Sequence, residues 1–577
     1  MCGIFGIYSK KKLNDEDFKL ANKAKKFLNH RGPDEFNLFQ DNENNLILCH
    51  SRLSIIDISK KNSQPRKEKN NVLVFNGEIY NFRELKKNYL QDSNFETNGD
   101  TEVLLKMWIK YGSKCLSYLD GMYAFALWDS KNLFLVTDFF GEKPLFIFEH
   151  EDKILFSSEA KIFIEIFKCK IDSNNTLFFD FFGIQINKER LIKGIKKISR
   201  NTILKFKSGK LIQKYSIKKE FSLKKKIYKI KNQNLEEILD LLIKSIKKRL
   251  ISDQKISILQ SGGYDSTLLL AIIKKEIKKD FQCYHLEQDF VSEKKQILRN
   301  FEHLKISQDN IKFINFDKSL LKIENYINYH YQLTDNYSIA LIDSITSAIA
   351  GDGIRVALTG TGGDELFYGY NKYFNAFKLE KKIKFFSKLP FFKFFKNHLK
   401  NDKINFLDLE NYFEYISFLK NDLNYKHYKS TNNLSYKFED FFPKKENLFL
   451  DMRKFDLNFT LPENLNFNQD IASMKNSIEL RSPFLNYELF EYLENLDQNL
   501  LFDLGPKTIS KILLKKFFNL DIPKSGFSLF YHTQNFFIRK NLELIKKYSL
   551  ENIFKNNFQL GFKELYKKEL INKLHSF

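Results

Sequence analysis

Cysteine is scarce in this chain. Only Cys2, Cys49, Cys115, Cys169 and Cys283 occur in 577 residues, an odd number without a C-x-x-C pair. That excludes a disulfide framework and a clustered-cysteine zinc site, and it fits a reducing cytosol. Long apolar runs are missing as well: even the phenylalanine-rich stretch Phe391 to Phe395 is interrupted by Lys393, so no segment reads as a bilayer span. The opening MCGIFGIYSKKK lacks a basic head followed by a long apolar stretch, which excludes a secretory signal. Zinc-finger spacing and RNA-binding signatures are also lacking, although the net charge is +23 and the pI about 9.3. The lysines recur along nearly every segment instead of clustering, the pattern of a solvated surface rather than a phosphate-binding stripe. The expectation is a cytoplasmic protein with neither a membrane nor a nucleic-acid partner.

With 577 residues, 43% of them apolar, the chain exceeds one ordinary core and reads as two large domains or several small ones. Near its middle stands KISILQSGGYDSTLLL, Lys255 to Leu270. Ile256, Ile258 and Leu259 read as a buried strand and Thr267 to Lys278 as a helix, which leaves Ser261 to Ser266 as the turn between them. Such a turn suits an anion: Gly262 and Gly263 permit close backbone approach, and the helix N-terminus offers free N–H groups and its dipole. Ser266 adds a hydroxyl, and Asp265 could hold a magnesium ion on a polyphosphate. A polar loop that merely joins strand to helix is the plainer alternative. Arg355 to Tyr370, RVALTGTGGDELFYGY, repeats the grammar, with a strand over Val356 to Thr359; Asp364 could then approach the same ion from a neighbouring strand end.

The first half carries short alternating strands at Leu46 to Cys49, Val72 to Phe75, Ala124 to Trp128, Leu133 to Thr137 and Ile154 to Ser157, with a helix over Asp100 to Tyr111. Face-to-face sheets covered by helices follow. If the initiator methionine is removed, Cys2 offers a thiol and its own α-amine as base, a nucleophile and its activator in one residue.

Placed along those strands are HRGPDE (His30 to Glu35), HSRLSIID (His50 to Asp57), FNGEIYN (Phe75 to Asn81), GDTEVLLKMW (Gly99 to Trp108), GMYAFALWD (Gly121 to Asp129) and GEKPLF (Gly141 to Phe146). In this order they resemble the class II glutamine amidotransferase domain, an N-terminal-nucleophile hydrolase. The resemblance implies Cys2 as the nucleophile that takes the glutamine amide, with Asn76 and Gly77 as the oxyanion hole. It further implies Arg52 on the glutamine α-carboxylate, the pocket lined by Leu53, Ser54, Ile55 and Ile56, and Glu78 with Asp100 on the α-amine. Thr137 departs from the family, which has arginine there.

Ser-Gly-Gly-x-Asp-Ser resembles the pyrophosphate loop of ATP pyrophosphatases. Together with the Asp364 loop, DIASMKNSIELRSPFLN (Asp470 to Asn486), GPKTISKILLKKFF and IPKSGFS (Ile522 to Ser528), it resembles the synthetase domain of glutamine-hydrolysing asparagine synthetase. That resemblance implies ATP contacts from Gln260, Ser261, Gly262, Gly263, Asp265, Ser266, Thr359 and Gly360, and Mg2+ on Asp265 and Asp364. Phe281 to Leu286 is a candidate adenine contact, Thr361 and Glu365 a candidate acceptor site, and Lys524 a stabiliser of developing charge, or simply one more solvated lysine. Lys507 and Lys511 read as structural residues on a helix. Three departures bear on the acceptor. Thr361 stands where the family has an acid, Asn486 replaces an aspartate, and an Asp-Glu-Pro upstream of Asp335 is missing.

The expected fold is an αββα N-terminal-nucleophile sandwich over residues 1–215, then a doubly wound parallel-sheet α/β ATP-pyrophosphatase domain with extra helices over 230–530 and a lysine-rich helical extension over 531–577. From Lys205 to Gln233 the sequence reads as a last strand or two and then a lysine-rich connector, with the boundary near residue 220. The expected reaction amidates a carboxylate, aspartate first, with glutamine and ATP as co-substrates and AMP and pyrophosphate released; a homodimer is left open. A uronic acid as acceptor, or a non-catalytic or nucleic-acid-binding descendant, are the rivals.

Overall fold

The structure, a computed structural model, describes residues 2–167, 169–173, 176–186, 191–217, 232–287, 292–386, 448–497, 499–518 and 531–575. The first half folds as two six-stranded antiparallel sheets packed face to face. One runs Ile195–Lys197, Phe146–His150, Lys153–Ser157, Gly3–Ser9, Leu46–Arg52, Glu35–Asp41. The other runs Lys210–Ser216, Thr202–Lys207, Leu133–Thr137, Gly121–Trp128, Asn71–Ile79, Arg66–Glu68. Alternation along the strands decides the layers: Ile4, Tyr8, Leu46 and Leu48 meet Val72, Val74, Ala124 and Ala126 between the sheets. Their alternate neighbours point outward, Phe5 and Ile7 onto the Asp15–Leu28 helix, Phe75 and Phe125 onto Asp100–Tyr111. The layers are therefore helix, sheet, sheet, helix.

The second half is built on a five-stranded parallel sheet ordered Ile311–Asn315, Gln282–Glu287, Ile256–Leu259, Val356–Leu358, Glu479–Arg481. The two glycine loops leave adjacent strands, Ile256–Leu259 and Val356–Leu358, at their carboxyl ends, where parallel sheets hold ligands. The helix after the first loop starts earlier than its apolar pattern suggests. It runs from Tyr264, capped by extended Gly263, so Asp265 and Ser266 lie in its first turn rather than in the preceding turn. Its end, Ile273–Ile277, widens into a π-turn. The C-terminal helices Tyr531–Lys540, Leu542–Lys547, Glu551–Asn556 and Phe558–His575 pack on Ile323–His330 through Phe537, Phe562 and Tyr326. No helix among the described residues is long and apolar enough to cross a membrane.

Candidate functional site

Cys2 opens the Gly3–Ser9 strand and is 8% exposed. Its N–H donates to Asn76 Oδ1 at 3.0 Å, its carbonyl accepts from Arg31 Nε at 3.1 Å, and its thiol faces the Leu53 carbonyl at 4.0 Å. The backbone is gripped on both sides, which fixes where the sulfur points. Burial pushes the thiol pKa up, so attack requires a base at hand. With Oδ1 of Asn76 committed, its Nδ2 is buried without a hydrogen-bond partner. Leaving such a donor unmet costs about 1–3 kcal/mol, a cost an incoming oxyanion would relieve. Gly77 follows at φ 145°; a Cβ there would lie 2.0 Å from the Met122 carbonyl, so only glycine allows this pairing with Gly121–Trp128.

The buried Arg52 guanidinium donates to the Ser59 carbonyl at 3.0 Å and the Asp57 carbonyl at 2.6 Å, folding Leu53–Asp57 into a wall beside the thiol. Asp100 accepts the Ile79 N–H at 2.8 Å, and burial pushes its carboxyl up to about 6. Glu78 is pushed up by burial and by its neighbours Glu479 and Asp100. Arg481 lies 3.4 Å from Glu78 and 2.6 Å from Glu479. Three buried carboxylates, Glu78, Asp100 and Glu479, thus gather around one guanidinium, an arrangement that favours positive charge.

At the carboxyl ends of the two adjacent strands opens a cavity of about 510 Å³ lined by Ser261, Asp265, Ser266, Thr359, Gly360, Thr361, Asp364, Glu365, Tyr370 and Gln469. Gln260 stands behind this wall and braces the loop, its Nε2 donating to the Ser266 carbonyl at 3.0 Å. The Ser266 hydroxyl meets the Ser261 N–H at 3.2 Å, and Gly263 N–H donates to the Ser261 hydroxyl at 3.3 Å. Gly262 takes φ 75°, which turns the chain into the helix. Gly363 lets the second loop press against the first, for a Cβ there would lie 2.4 Å from Asp265 Cγ. The candidate adenine strand, Gln282–Glu287, reaches the loop through His285, whose Nδ1 is 2.8 Å from the Gln260 carbonyl.

Lys507, expected as a structural residue on a helix, stands at that helix's start and ties the two glycine loops together. It caps the Thr508–Lys515 helix at φ 60°, and its buried ammonium touches Asp265 and lies 3.0 Å from Asp364. Although burial works against its charge, Asp265 and then Asp364 hold its pKa above the ordinary value. The two aspartates thus converge on one cation position. Their carboxylate oxygens are hard donors of the kind Mg2+ takes, but no cluster of three or more metal-binding side chains occurs among the described residues, so phosphate and water would have to complete the shell of an ion that replaced or adjoined the Lys507 ammonium. Lys511 lies on the helix and donates to the Leu504 carbonyl at 2.8 Å. Lys524 lies outside the described residues.

The Thr361 hydroxyl donates to Gln469 Oε1 at 2.5 Å and lies 3.0 Å from the Thr359 hydroxyl, a neutral corner of the cavity. Glu365 accepts from Tyr370 OH at 2.5 Å, and burial pushes it up to about 7. The other departures have local reasons. Asn486 caps Tyr487–Glu494, accepting the Leu489 N–H at 2.9 Å while its amide faces Asp120 at 3.3 Å, a donor role an ionised aspartate lacks. Thr137 donates to the Ser199 carbonyl at 2.7 Å inside the sandwich.

Sequence reasoning missed the residues between the two sites. Arg31, fully buried, reaches Glu159 at 3.1 Å and Asp470 at 2.8 Å besides the Cys2 carbonyl, and Lys143 lies 3.3 Å from Asp470. Beside them is a polar cavity of about 10 Å³ lined by Glu142, Lys143, Asn466, Gln469, Asp470, Ser473 and Leu480. Gln469 and Leu480 also line the large cavity. Glu142 Oε1 is buried without a partner, and burial pushes this carboxyl up to about 8. The signal was present: Arg31, Glu142 and Asp470 fall inside HRGPDE, GEKPLF and DIASMK.

Comparison with known proteins gives two family matches along the chain. A family model for the glutamine amidotransferase domain matches residues 1–216, and one for asparagine synthase matches residues 237–528. A protein of Methanocaldococcus jannaschii provisionally named asparagine synthetase (glutamine-hydrolyzing) 2 is 30% identical over 421 residues, 68% of this chain and 79% of that one. Asparagine synthetase B (glutamine-hydrolyzing) of Escherichia coli K12 is 28% identical over 390 residues, 64% of this chain and 65% of its own. Asparagine synthetase (glutamine-hydrolyzing) 3 of Bacillus subtilis is 30% identical over 305 residues, 50% and 48% of the two chains. The class so defined is a glutamine-dependent amidotransferase joined to a synthetase. The chain belongs to the family of glutamine-hydrolysing asparagine synthetases and is an enzyme of that type.

Proposed function

We propose that the chain releases ammonia from glutamine at Cys2 and uses it to amidate a carboxylate activated as an acyl-adenylate, with aspartate as the acceptor, the acid whose amidation gives the asparagine for which the relatives are named. The observation that carries this is the run of contacts from one site to the other. Arg31 holds the Cys2 carbonyl and Asp470, and the adjacent Gln469 accepts the Thr361 hydroxyl at the wall of the large cavity.

In the first site, an αββα N-terminal-nucleophile sandwich, Cys2 freed of Met1 attacks the glutamine side-chain amide, with its own amine as base. Asn76 Nδ2 and the Gly77 N–H meet the oxyanion, and a thioester forms as ammonia departs. Arg52 takes the α-carboxylate, and Glu78 with Asp100 takes the α-ammonium. In the second site the loops at Ser261–Ser266 and Thr359–Asp364 hold ATP. The acceptor carboxylate attacks the α-phosphorus, pyrophosphate leaves, and ammonia displaces AMP. Mg2+ held by Asp265 and Asp364 would offset phosphate charge there. Lys507 orients both carboxylates, and Lys524 adds positive charge to the adenylate. Five unpaired thiols support a cytosolic setting.

A second reading keeps both half-reactions but takes another acid, such as a uronic acid. It is favoured by the Thr361–Gln469 hydrogen bond, a neutral pair suited to hydroxyl-rich acceptors. ATP–pyrophosphate exchange with aspartate and with sugar acids tests both readings. Exchange dependent on aspartate supports the first, exchange dependent on a sugar acid supports the second, and none with any acid overturns the activation step.

A further inference from the structure

The wall of the glutamine pocket is held from outside its own domain. Between Ser54 and Asp57 the chain makes no strand or helix, so its backbone groups need partners elsewhere. The segment just before the Ile256–Leu259 strand supplies three. Gln254 Nε2 donates to the Ser54 carbonyl at 3.0 Å, Asp253 N–H donates to the Ile55 carbonyl at 2.9 Å, and Asp253 Oδ2 accepts the Asp57 N–H at 2.8 Å. A fourth tie comes from the next strand: Asp34 Oδ2 accepts both the Ser54 N–H at 2.8 Å and Arg355 Nη1 at 2.5 Å. Between these bonds Ile55, 2% exposed, packs with Leu53, Tyr80 and Met122 against Val356 and Met474 of the synthetase half.

We propose that Asp253, Gln254 and Arg355 are positioning residues for glutamine. They hold Leu53–Asp57 in its binding shape, so that glutamine affinity depends on the docked synthetase domain. The inference rests on the reading of that loop and Arg52 as the glutamine pocket. The chemistry supports a binding role rather than a rate role. The anchored loop carries the Asp57 carbonyl that Arg52 grips, with the Ser59 carbonyl just beyond, so releasing it lets the guanidinium turn away from its guest while the Cys2 backbone keeps its bonds to Asn76 and Arg31.

The test uses the full-length enzyme and three variants: Asp253→Ala, Arg355→Ala and Arg355→Lys. Asp253 is exposed and Arg355 partly so, which spares the core. The expected result for Asp253→Ala and Arg355→Ala is a KM for glutamine raised about tenfold, the size of one lost charge-assisted hydrogen bond. Glutaminase kcat and ammonia-dependent synthesis should stay within about twofold of wild type, and Arg355→Lys should recover part of the affinity. An unchanged KM in both alanine variants, or an equal loss of ammonia-dependent synthesis, overturns the proposal. Arg52→Lys is measured alongside. If it raises KM while Asp253→Ala and Arg355→Ala do not, positioning fails and the pocket stands; if it too is silent, the pocket reading fails.

Discussion

The N–H of Cys2 donates to Oδ1 of Asn76 at 3.0 Å, and this one bond fixes which way the Asn76 amide faces, leaving Nδ2 buried without a partner beside the thiol. Replacing Asn76 by alanine should therefore lower glutaminase kcat by about 10²–10³-fold, the usual loss of an oxyanion donor. Ammonia-dependent synthesis should be unaffected. Steady-state glutaminase and synthesis assays on one preparation check both.

Asp100 gives the first site a pH signature. Burial pushes its carboxyl up to about 6, so it is neutral below that pH and anionic above it. An α-ammonium needs the anion, so kcat/KM for glutamine should fall as pH drops through about 6. In Asp100→Asn the inflection should disappear and KM rise. The sign for stability is opposite. A carboxyl with a raised folded pKa favours folding most below its unfolded value, and that contribution is lost as pH rises through about 6. Asp100→Asn should accordingly gain stability relative to wild type above pH 6 in denaturant titrations.

The shared cation position makes a separate prediction for the second site. Asp265→Asn removes a charge that Lys507 pairs with and that the proposed function places beside ATP. ATP–pyrophosphate exchange should drop at least about 100-fold, because a charged hydrogen bond in a confined site is worth about 3 kcal/mol. Glutaminase activity should stay near wild type. Lys507→Met should cost more in stability, about 3–5 kcal/mol, since it leaves two converging carboxylates without their counter-charge. Chemical denaturation separates these effects.

What could be read in advance was what lies close together along the chain. Asp100–Tyr111 and Leu133–Thr137 begin and end where their residue patterns put them, because each is bounded by glycine or polar turn residues. The glycine loops were legible for the same reason: a strand, a turn and a helix follow one another within a few residues. Lys507 was not legible, because among so many lysines nothing local marks the one whose left-handed backbone aims it at two aspartates. Arg31 and Asp470 lie in motifs far apart in sequence, and only docking of the two halves makes them a pair. Asp253 and Gln254 fall in no motif, and Arg355 only opens RVALTGTGGDELFYGY without a role in its strand-turn-helix pattern, since their contribution is to hold another segment in place.

The most direct measurement of the central claim, that nitrogen is released at one centre and used at another, is product formation by Cys2→Ala supplied with glutamine or with ammonium. The account predicts no product from glutamine and undiminished, ATP-dependent product from ammonium, with pyrophosphate released in step. Product from glutamine in this variant, or loss of the ammonium reaction as well, would contradict it.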